Sequence, residues 1–578
     1  MFREKSLALV VTLCAGLLSF ASVASAEVTT ISVPLDHAAP GGPQTQVAYD
    51  RRPARGERRG TIVFLSGGPG EPAIRFADDL ASGPLRALRQ QFDLVFVDQR
   101  GTGRSAPLRC ATAPNGRFST DLSAERLQAA IAACATELGS ERRHYSTMAT
   151  ALDVEAVREA IGMERIIPLG VSYGAQVAAE YARRFPDRLQ ALVLDSASPV
   201  EGLDTMSLAP QTALARVFRE ACFPPGCSDL LGEPVTLIAE SADRLRRRPL
   251  AGLGAEDVHA LVLASDTDPL LRTDIPATLQ AAIGRDAGPL RRLARYAGGG
   301  SGRTQLNEVR FLATACVEGN QPWDPDTDPA GREAALEGYL RANRAAYAPF
   351  PIEAVAPNLT ATQCLSWPAT PRAPLPPAFD QGSGVPTLVL AGREDLRTPL
   401  ESQRGIAAQF PGATVRAVAD VGHSVLVNEA TDCARDSLRA FLLFLDVTPR
   451  CDRRVETDIA LPYFDALREV PRARGRLSER VERTATAVNL TMVDALRWGP
   501  VGPMRGVRGG RVRLGDETLV LRRYELVPGV VVSGTWHVER GGRVTVTGRG
   551  ATGVLRVRPS LRMTGRLDGE TVRYQPLG

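Results

Sequence analysis

The chain has 578 residues, more than one ordinary hydrophobic core accommodates, so roughly two to four folding units are expected. Hydrophobic residues make up 44% of it and charged residues 23%, which excludes an intrinsically disordered chain. Basic residues number 69 against 65 acidic ones, and a net charge of +4 spread over so many ionised groups gives no reason to expect nucleic acid as a partner.

Residues 1–26 carry Arg3 and Lys5, then an apolar run from Leu7 to Ala21, then Ala24, Ser25 and Ala26. That order reads as a cleaved export signal, and the run is shorter than the ~20 residues a spanning helix needs. A periplasmic or extracellular protein is therefore expected. Cys14 leaves with this leader, and the eight remaining cysteines are an even set in an oxidising compartment. Sequence proximity favours Cys110 with Cys134, Cys222 with Cys227, Cys316 with Cys364, and Cys433 with Cys451. No CxxC pair exists, and His37, His144, His259, His423 and His537 show no metal-ligand spacing with the cysteines. No metal or cofactor is called for.

Short apolar or β-branched runs at Thr61 to Leu65, Leu94 to Val97, Ile166 to Leu169, Ala191 to Leu194, Thr387 to Leu390 and Thr414 to Val418 read as buried parallel strands. Helical stretches separate them: Val154, Val157 and Ile161 recur at helical spacing before Gly162, and Tyr173 to Phe185 is stopped by Pro186. The alternation predicts an α/β, doubly wound, mostly parallel sheet in two parts, 27–199 and 385–452. Residues 200–384 read as a large helical lid inserted between them. After Cys451, a helical stretch at Ser478 to Trp498 precedes alternating strands, with hairpin signals at Gly541-Gly542 and Asp568-Gly569, so 453–578 is expected to be a small C-terminal β-rich domain. From Val501 onward it carries 14 arginines against 6 acids. Solvated strand faces explain such an excess, and weak contact with an anionic envelope surface is the functional reading.

The strongest chemical signal is Gly170-Val171-Ser172-Tyr173-Gly174, placed between a strand and a helix. A hydroxyl is a weak nucleophile, and a tight turn here lifts Ser172 out of the sheet while aiming the N–H of Tyr173 at the oxygen of an attacked carbonyl. A second oxyanion donor is expected from Ser66-Gly67-Gly68-Pro69-Gly70, after the first predicted parallel strand, with Gly68 as the donor because Pro69 has no N–H. The base must follow the nucleophile in the chain with an acid between them. His423 in Val421-Gly422-His423-Ser424 fits, and Asp395 in Gly392-Arg393-Glu394-Asp395 fits as the acid, with Glu394 as its neighbour. The other histidines precede Ser172 or lie in the lid or the terminal domain. A dehalogenase or epoxide hydrolase is disfavoured, because each needs a carboxylate where Ser172 stands.

These motifs resemble the α/β-hydrolase fold, in the branch of proline iminopeptidases and secreted tripeptidyl aminopeptidases. The likeness rests on SGGPG at Ser66 to Gly70, DQRGTGRS at Asp98 to Ser105, GVSYG at Gly170 to Gly174, GREDLRTP at Gly392 to Pro399 and GHS at Gly422 to Ser424. Ser66 departs from the histidine or similar polar residue usual there, and the stretch after Cys451 lies outside the likeness. The segment Asp98 to Ser105 reads as structural, shaping the turn after a strand. The resemblance implies an exported serine aminopeptidase acting on peptides with a free N terminus, whose ammonium a lid carboxylate would hold. Glu318, in Cys316-Val317-Glu318, is the implied holder, with Glu71 and Glu201 in reserve. A carboxylesterase or lipase with the same three side chains, and a hydrolase-shaped binding protein without chemistry, are the rival readings. A neutral histidine base implies activity falling as pH drops through roughly 6 to 7.

Overall fold

Eight strands form the first sheet: β1 (Val28–Pro34), β2 (Gln44–Arg52), β3 (Gly60–Leu65), β4 (Phe92–Asp98), β5 (Ile167–Val171), β6 (Leu192–Asp195), β7 (Thr387–Gly392) and β8 (Thr414–Val418). Their order is β1-β2-β4-β3-β5-β6-β7-β8, antiparallel through β1, β2 and β4 and parallel from there on. The computed structural model describes residues 28–199, 201–221, 231–299, 306–324, 326–372, 384–447, 450–453, 462–473 and 477–576. The expected leader at 1–26 and the expected pair Cys222 and Cys227 lie outside these residues.

Alternate side chains of the inner strands leave the sheet on opposite faces, and both faces are covered. Val63, Leu65, Val95, Leu192, Leu194 and Val389 pack into one core, while Ile62, Phe64, Leu94, Leu169, Val193 and Leu388 pack into another. This explains why these strands read as continuous apolar runs. The antiparallel edge, β1 with β2, is more polar and was not anticipated from the sequence.

Helix α1 (Thr147–Ala160) starts at Ser146, whose Oγ accepts from the N–H of Ala149 at 3.1 Å. Its Val154 and Val157, with Ile161 just beyond its end, are buried as their spacing predicts. Helix α2 (Tyr173–Arg184) follows β5 after one residue and ends before Pro186. Between β6 and β7 the described residues form helices and no strand, among them α3 (Pro269–Ile283), α4 (Gly288–Gly299) and α5 (Glu308–Glu318). Disulfides join Cys110 to Cys134, Cys316 to Cys364, and Cys433 to Cys451.

Helix α6 (Glu479–Trp498) packs on a second, wholly antiparallel sheet. Its strands run in chain order: β9 (Met504–Arg505), β10 (Gly509–Gly515), β11 (Thr518–Glu525), β12 (Val530–His537), β13 (Gly541–Gly548), β14 (Gly553–Val557), β15 (Met563–Leu567) and β16 (Glu570–Tyr574). The hairpin at Asp568-Gly569 forms, with both residues at positive φ. The Gly541-Gly542 signal proves to mark a close approach instead. The glycines lie inside β13, and a Cβ on Gly542 would sit 2.0 Å from the carbonyl oxygen of Thr535 across the ladder. The turn itself is Val538 to Arg540.

A buried charge cluster joins the helical insertion to this second unit. The guanidinium of Arg292 on α4 donates to both carboxylate oxygens of Asp494 on α6, at 2.8 and 2.9 Å, and to Asp274 on α3 at 3.2 Å. Asp274 also pairs with Arg497 at 2.9 Å, and Arg292 lies 4.6 Å over the ring of Trp498.

Candidate active site

The strand β5 ends at Val171 and α2 begins at Tyr173, so Ser172 alone makes the turn, at φ 57° and ψ −121°. Only small neighbours allow it. A Cβ on Gly170 would lie 2.2 Å from the carbonyl oxygen of Gly174, and a Cβ on Gly174 would lie 2.1 Å from that of Leu65 on β3. The N–H of Ser172 donates to the carbonyl of Asp195 at 2.9 Å. Tyr173, at the start of α2, has its N–H among the helix donors that find no partner within the helix.

The loop after β3 lies against this turn. A Cβ on Gly67 would be 2.9 Å from Cβ and 3.4 Å from Oγ of Ser172. Gly68 follows at φ 106°, where a side chain would strain the backbone and collide with Leu306 at 2.9 Å. Ser66 closes the loop by donating from Oγ to the carbonyl of Glu71 at 2.6 Å, and Gln99 Nε2 donates to the carbonyl of Ser66 at 2.6 Å. The segment Asp98 to Ser105 is likewise a brace. Asp98 accepts from the N–H groups of Ile74 and Arg104, and fully buried Arg100 pairs with Asp153 at 2.6 Å.

Past the ends of β7 and β8, His423 Nδ1 is 3.0 Å from Asp395 Oδ2, and both side chains are buried. Thr398 stands between them and completes the cradle. Its N–H and hydroxyl donate to Asp395 at 2.8 Å, and its Oγ1 is 3.1 Å from His423 Nδ1. Burial alone would push the Asp395 carboxyl up, but His423 and the Thr398 donors hold it below the usual carboxylate range. Burial likewise works to lower the His423 pKa, and Asp395 together with Asp266 outweighs it, leaving the imidazole above its ordinary value. The other ring nitrogen, Nε2, is buried and has no hydrogen-bond partner among the described residues.

The tip of β6 ties the serine and histidine halves together. Asp195 takes the N–H of Ser172 on its carbonyl, and its carboxylate takes the N–H groups of Val425 and Leu426 at 2.9 Å each. Ser196 accepts the N–H of Ser424 on Oγ at 2.9 Å, and its carbonyl oxygen lies 3.0 Å from Thr398 Oγ1.

The helical insertion contributes directly. The carbonyl of Asp266 accepts the N–H of His423 at 2.9 Å, and its carboxylate has an oxygen within 4.8 Å of the ligating atoms of Asp395 and His423. Arg397 faces that carboxylate at 3.1 Å. Arg272, on α3, donates to the carbonyl of Ser265 at 2.6 Å and pairs with Glu394 at 2.7 Å. The expected neighbour acid Glu394 is therefore taken up by the insertion. Thr398 and Asp266 carried no signal that would single them out, although Thr398 lies three residues after Asp395 in the quoted motif.

Of the three carboxylates expected to hold an ammonium, Glu71 is half-buried on the loop beside Ser172. Burial pushes its carboxyl up, against the pull of the Gly67 N–H, His423 and Arg397. Glu318 is buried at the end of α5 and takes the N–H of Thr147 at 2.8 Å and the Thr147 hydroxyl on its other oxygen. Thr147 Oγ1 also meets the Tyr173 hydroxyl at 3.0 Å, so Glu318 is one side chain removed from the serine turn. Burial pushes the Glu318 carboxyl up as well. Glu201 is exposed, with its carboxylate accepting from Gln409. The remaining histidines have other surroundings: His37 sits on Asp153 at 2.9 Å, and His259 is buried against Phe350, its pKa pushed down to about 4 by burial.

A family model described as alpha/beta hydrolase fold matches residues 60–282, and one described as TAP-like protein matches residues 349–452. The serine protease Hip1 of Mycobacterium tuberculosis (strain ATCC 25618 / H37Rv) is 26% identical over 461 residues, covering 72% of this chain and 84% of that protein. The tripeptidyl aminopeptidase of Streptomyces lividans is 25% identical over 466 residues, covering 73% of this chain and 82% of that protein. Carboxylesterase B of M. tuberculosis (strain CDC 1551 / Oshkosh) is 28% identical over 467 residues, covering 74% and 85%. With its mostly parallel sheet, its serine at a strand-to-helix turn and these matches, the chain is a serine hydrolase with the α/β-hydrolase fold that carries a TAP-like segment at residues 349–452.

Proposed function

We propose that this serine hydrolase is an aminopeptidase that releases residues or short peptides from free N termini. The observation that supports it is the half-buried carboxylate of Glu71, held by the loop that packs on Ser172. An ammonium entering a partly desolvated site needs an opposite charge, and an exopeptidase needs that charge at a fixed distance from its nucleophile. In this reading Ser172 Oγ attacks the scissile carbonyl while His423 Nε2 takes its proton. Asp395 orients the imidazole, and the N–H groups of Gly68 and Tyr173 hold the oxyanion. The proton returns to the leaving amine as the acyl-enzyme forms, and water then repeats the sequence in reverse. Glu318, with Thr147 on both oxygens, meets an ammonium only through its remaining lone pairs, so Glu71 is the favoured anchor.

The test compares a peptide amide with its N-acetylated form. Charge-specific recognition should disfavour the blocked peptide by about 10⁴-fold in kcat/KM. Glu71→Gln should raise KM for the free peptide and leave hydrolysis of p-nitrophenyl acetate near normal, whereas Glu318→Gln should chiefly lower the Tm. Equal cleavage of blocked and free peptides removes the aminopeptidase reading. An esterase is the second reading, favoured by the 28% identity to carboxylesterase B. It predicts short acyl esters as better substrates than any peptide.

Export is proposed with the activity. Three disulfides in the described residues support an oxidising compartment, and no described helix is long and apolar enough to cross a membrane.

A further inference from the structure

A groove of about 670 Å³ lies where α4 meets the first strands of the second sheet, and none of the residues placed around Ser172 lines it. Six arginines do: Arg295, Arg505, Arg508, Arg511, Arg522 and Arg523. Arg508 is occupied, pairing with Asp286 at 2.5 Å and Asp465 at 3.1 Å. The other five make no side-chain hydrogen bond or ion pair with any described residue. The groove's acid, Glu525, is spoken for, since its Oε1 accepts the N–H of Gly529 at 2.7 Å.

The strand register makes this crowding deliberate in geometry. Arg505, Arg511 and Arg522 stand directly opposite one another on β9, β10 and β11, so their side chains share one face. Like charges so placed repel, and no carboxylate of the described residues forms an ion pair with these three. Next to this row the ladder between β11 and β12 slips, with Arg523 at φ 52° donating its N–H to Ser533 Oγ at 3.0 Å. The slip leaves Arg522 and Arg523 both exposed. Arg295 reaches the groove from α4, and its pKa is lowered first by burial and then by the charges of Arg291, Arg505 and Arg292.

Guanidinium groups pair in two-pronged fashion with phosphate, and three of them on adjacent strands span about 10 Å. We infer that this groove is a binding site for a ligand bearing two or more adjacent phosphate groups. The site takes such groups free in solution or as the headgroup of an anionic lipid, and its concave shape fits a discrete group rather than a flat bilayer. It is independent of the aminopeptidase reading and needs no part of the hydrolytic machinery. By bridging Arg295 and the sheet, the anion would also pin α4 to the second unit.

The experiment titrates the full chain with inorganic tripolyphosphate by calorimetry at low and physiological salt. Arg511→Gln with Arg522→Gln should weaken binding at least tenfold. Arg126→Gln with Arg439→Gln, which removes the same charge elsewhere on the surface, should leave it within twofold. Hydrolysis of a small ester and the melting curve should be unchanged in both variants, the latter reporting that the second unit is folded in each. Co-sedimentation with cardiolipin vesicles, whose headgroup carries two phosphates, absent with phosphatidylcholine and competed by tripolyphosphate, assigns the lipid source; tripolyphosphate binding without co-sedimentation assigns the soluble one. No binding of either probe, equal loss in the two variants, or tighter binding of a single-stranded oligonucleotide than of tripolyphosphate overturns the inference.

Discussion

At the residue scale, His423 is gripped from three directions. Asp395 and Thr398 hold Nδ1, Asp266 holds the backbone N–H, and Nε2 is the one left without a partner among the described residues, as the proposed base requires. Ser172→Ala should lower kcat by on the order of 10⁴ to 10⁶ with an unchanged melting curve; near-normal turnover would remove Ser172 from the mechanism. The pH behaviour follows from the signs. The His423 pKa is raised above its ordinary 6.5, so the neutral base appears later on titration and the acid limb of kcat/KM should lie above that value. Asp266→Asn removes one of the charges that raise it and frees Arg397, which works the other way, so the limb should move to lower pH in a kcat/KM profile. The same signs set a conflict with stability. Asp395 is depressed below 3.8 and His423 raised above 6.5, so the charged pair contributes fully between those ordinary values. Its contribution fades as pH rises through the folded His423 value, which is where activity grows. The candidates Ser172, Asp395 and His423 came from chain order and from positions at strand ends, and the structure pairs Asp395 with His423. Thr398 and Asp266 were not readable in this way, because their work depends on how a loop and an inserted helix come to rest against the histidine.

At the scale of elements, α3 faces two ways. Arg272 near its start pairs with Glu394, beside Asp395, and Asp274 two residues on meets Arg292 and Arg497. One helix of the insertion thus touches both the hydrolase loops and the terminal unit. Arg292→Met should cost about 3–5 kcal/mol, since it takes from Asp494 its buried cation and leaves Asp274 with Arg497 as its one cation, and chemical denaturation should detect it as a fall in midpoint. An unchanged midpoint would mean that the cluster contributes little beyond its own desolvation. The inner strands β3 to β7 were legible because burial on both faces leaves a continuous apolar signature. The edge formed by β1 and β2 lacked it, and the glycine pair in β13 misled because glycine serves close backbone approach as readily as turns.

At the scale of the whole molecule, the three disulfides close loops of 24, 48 and 18 residues, and the chain-entropy argument assigns each about 3–4 kcal/mol. Reduction should therefore lower the Tm markedly, and Cys316→Ser with Cys364→Ser, which opens the longest loop, should account for the largest single share; an equal Tm with and without reductant would refute this. The sheet also carries an order of events. Strands β6 and β7 are parallel neighbours, yet the entire insertion is threaded between Asp195 and Thr387. A ribosome making this chain releases the proposed nucleophile long before its proposed acid and base, and the slot beside β6 stays empty until the intervening helices have been synthesised. The nascent protein therefore holds a serine it cannot use, and the producing cell carries no working hydrolase until the last strands of that sheet slide home.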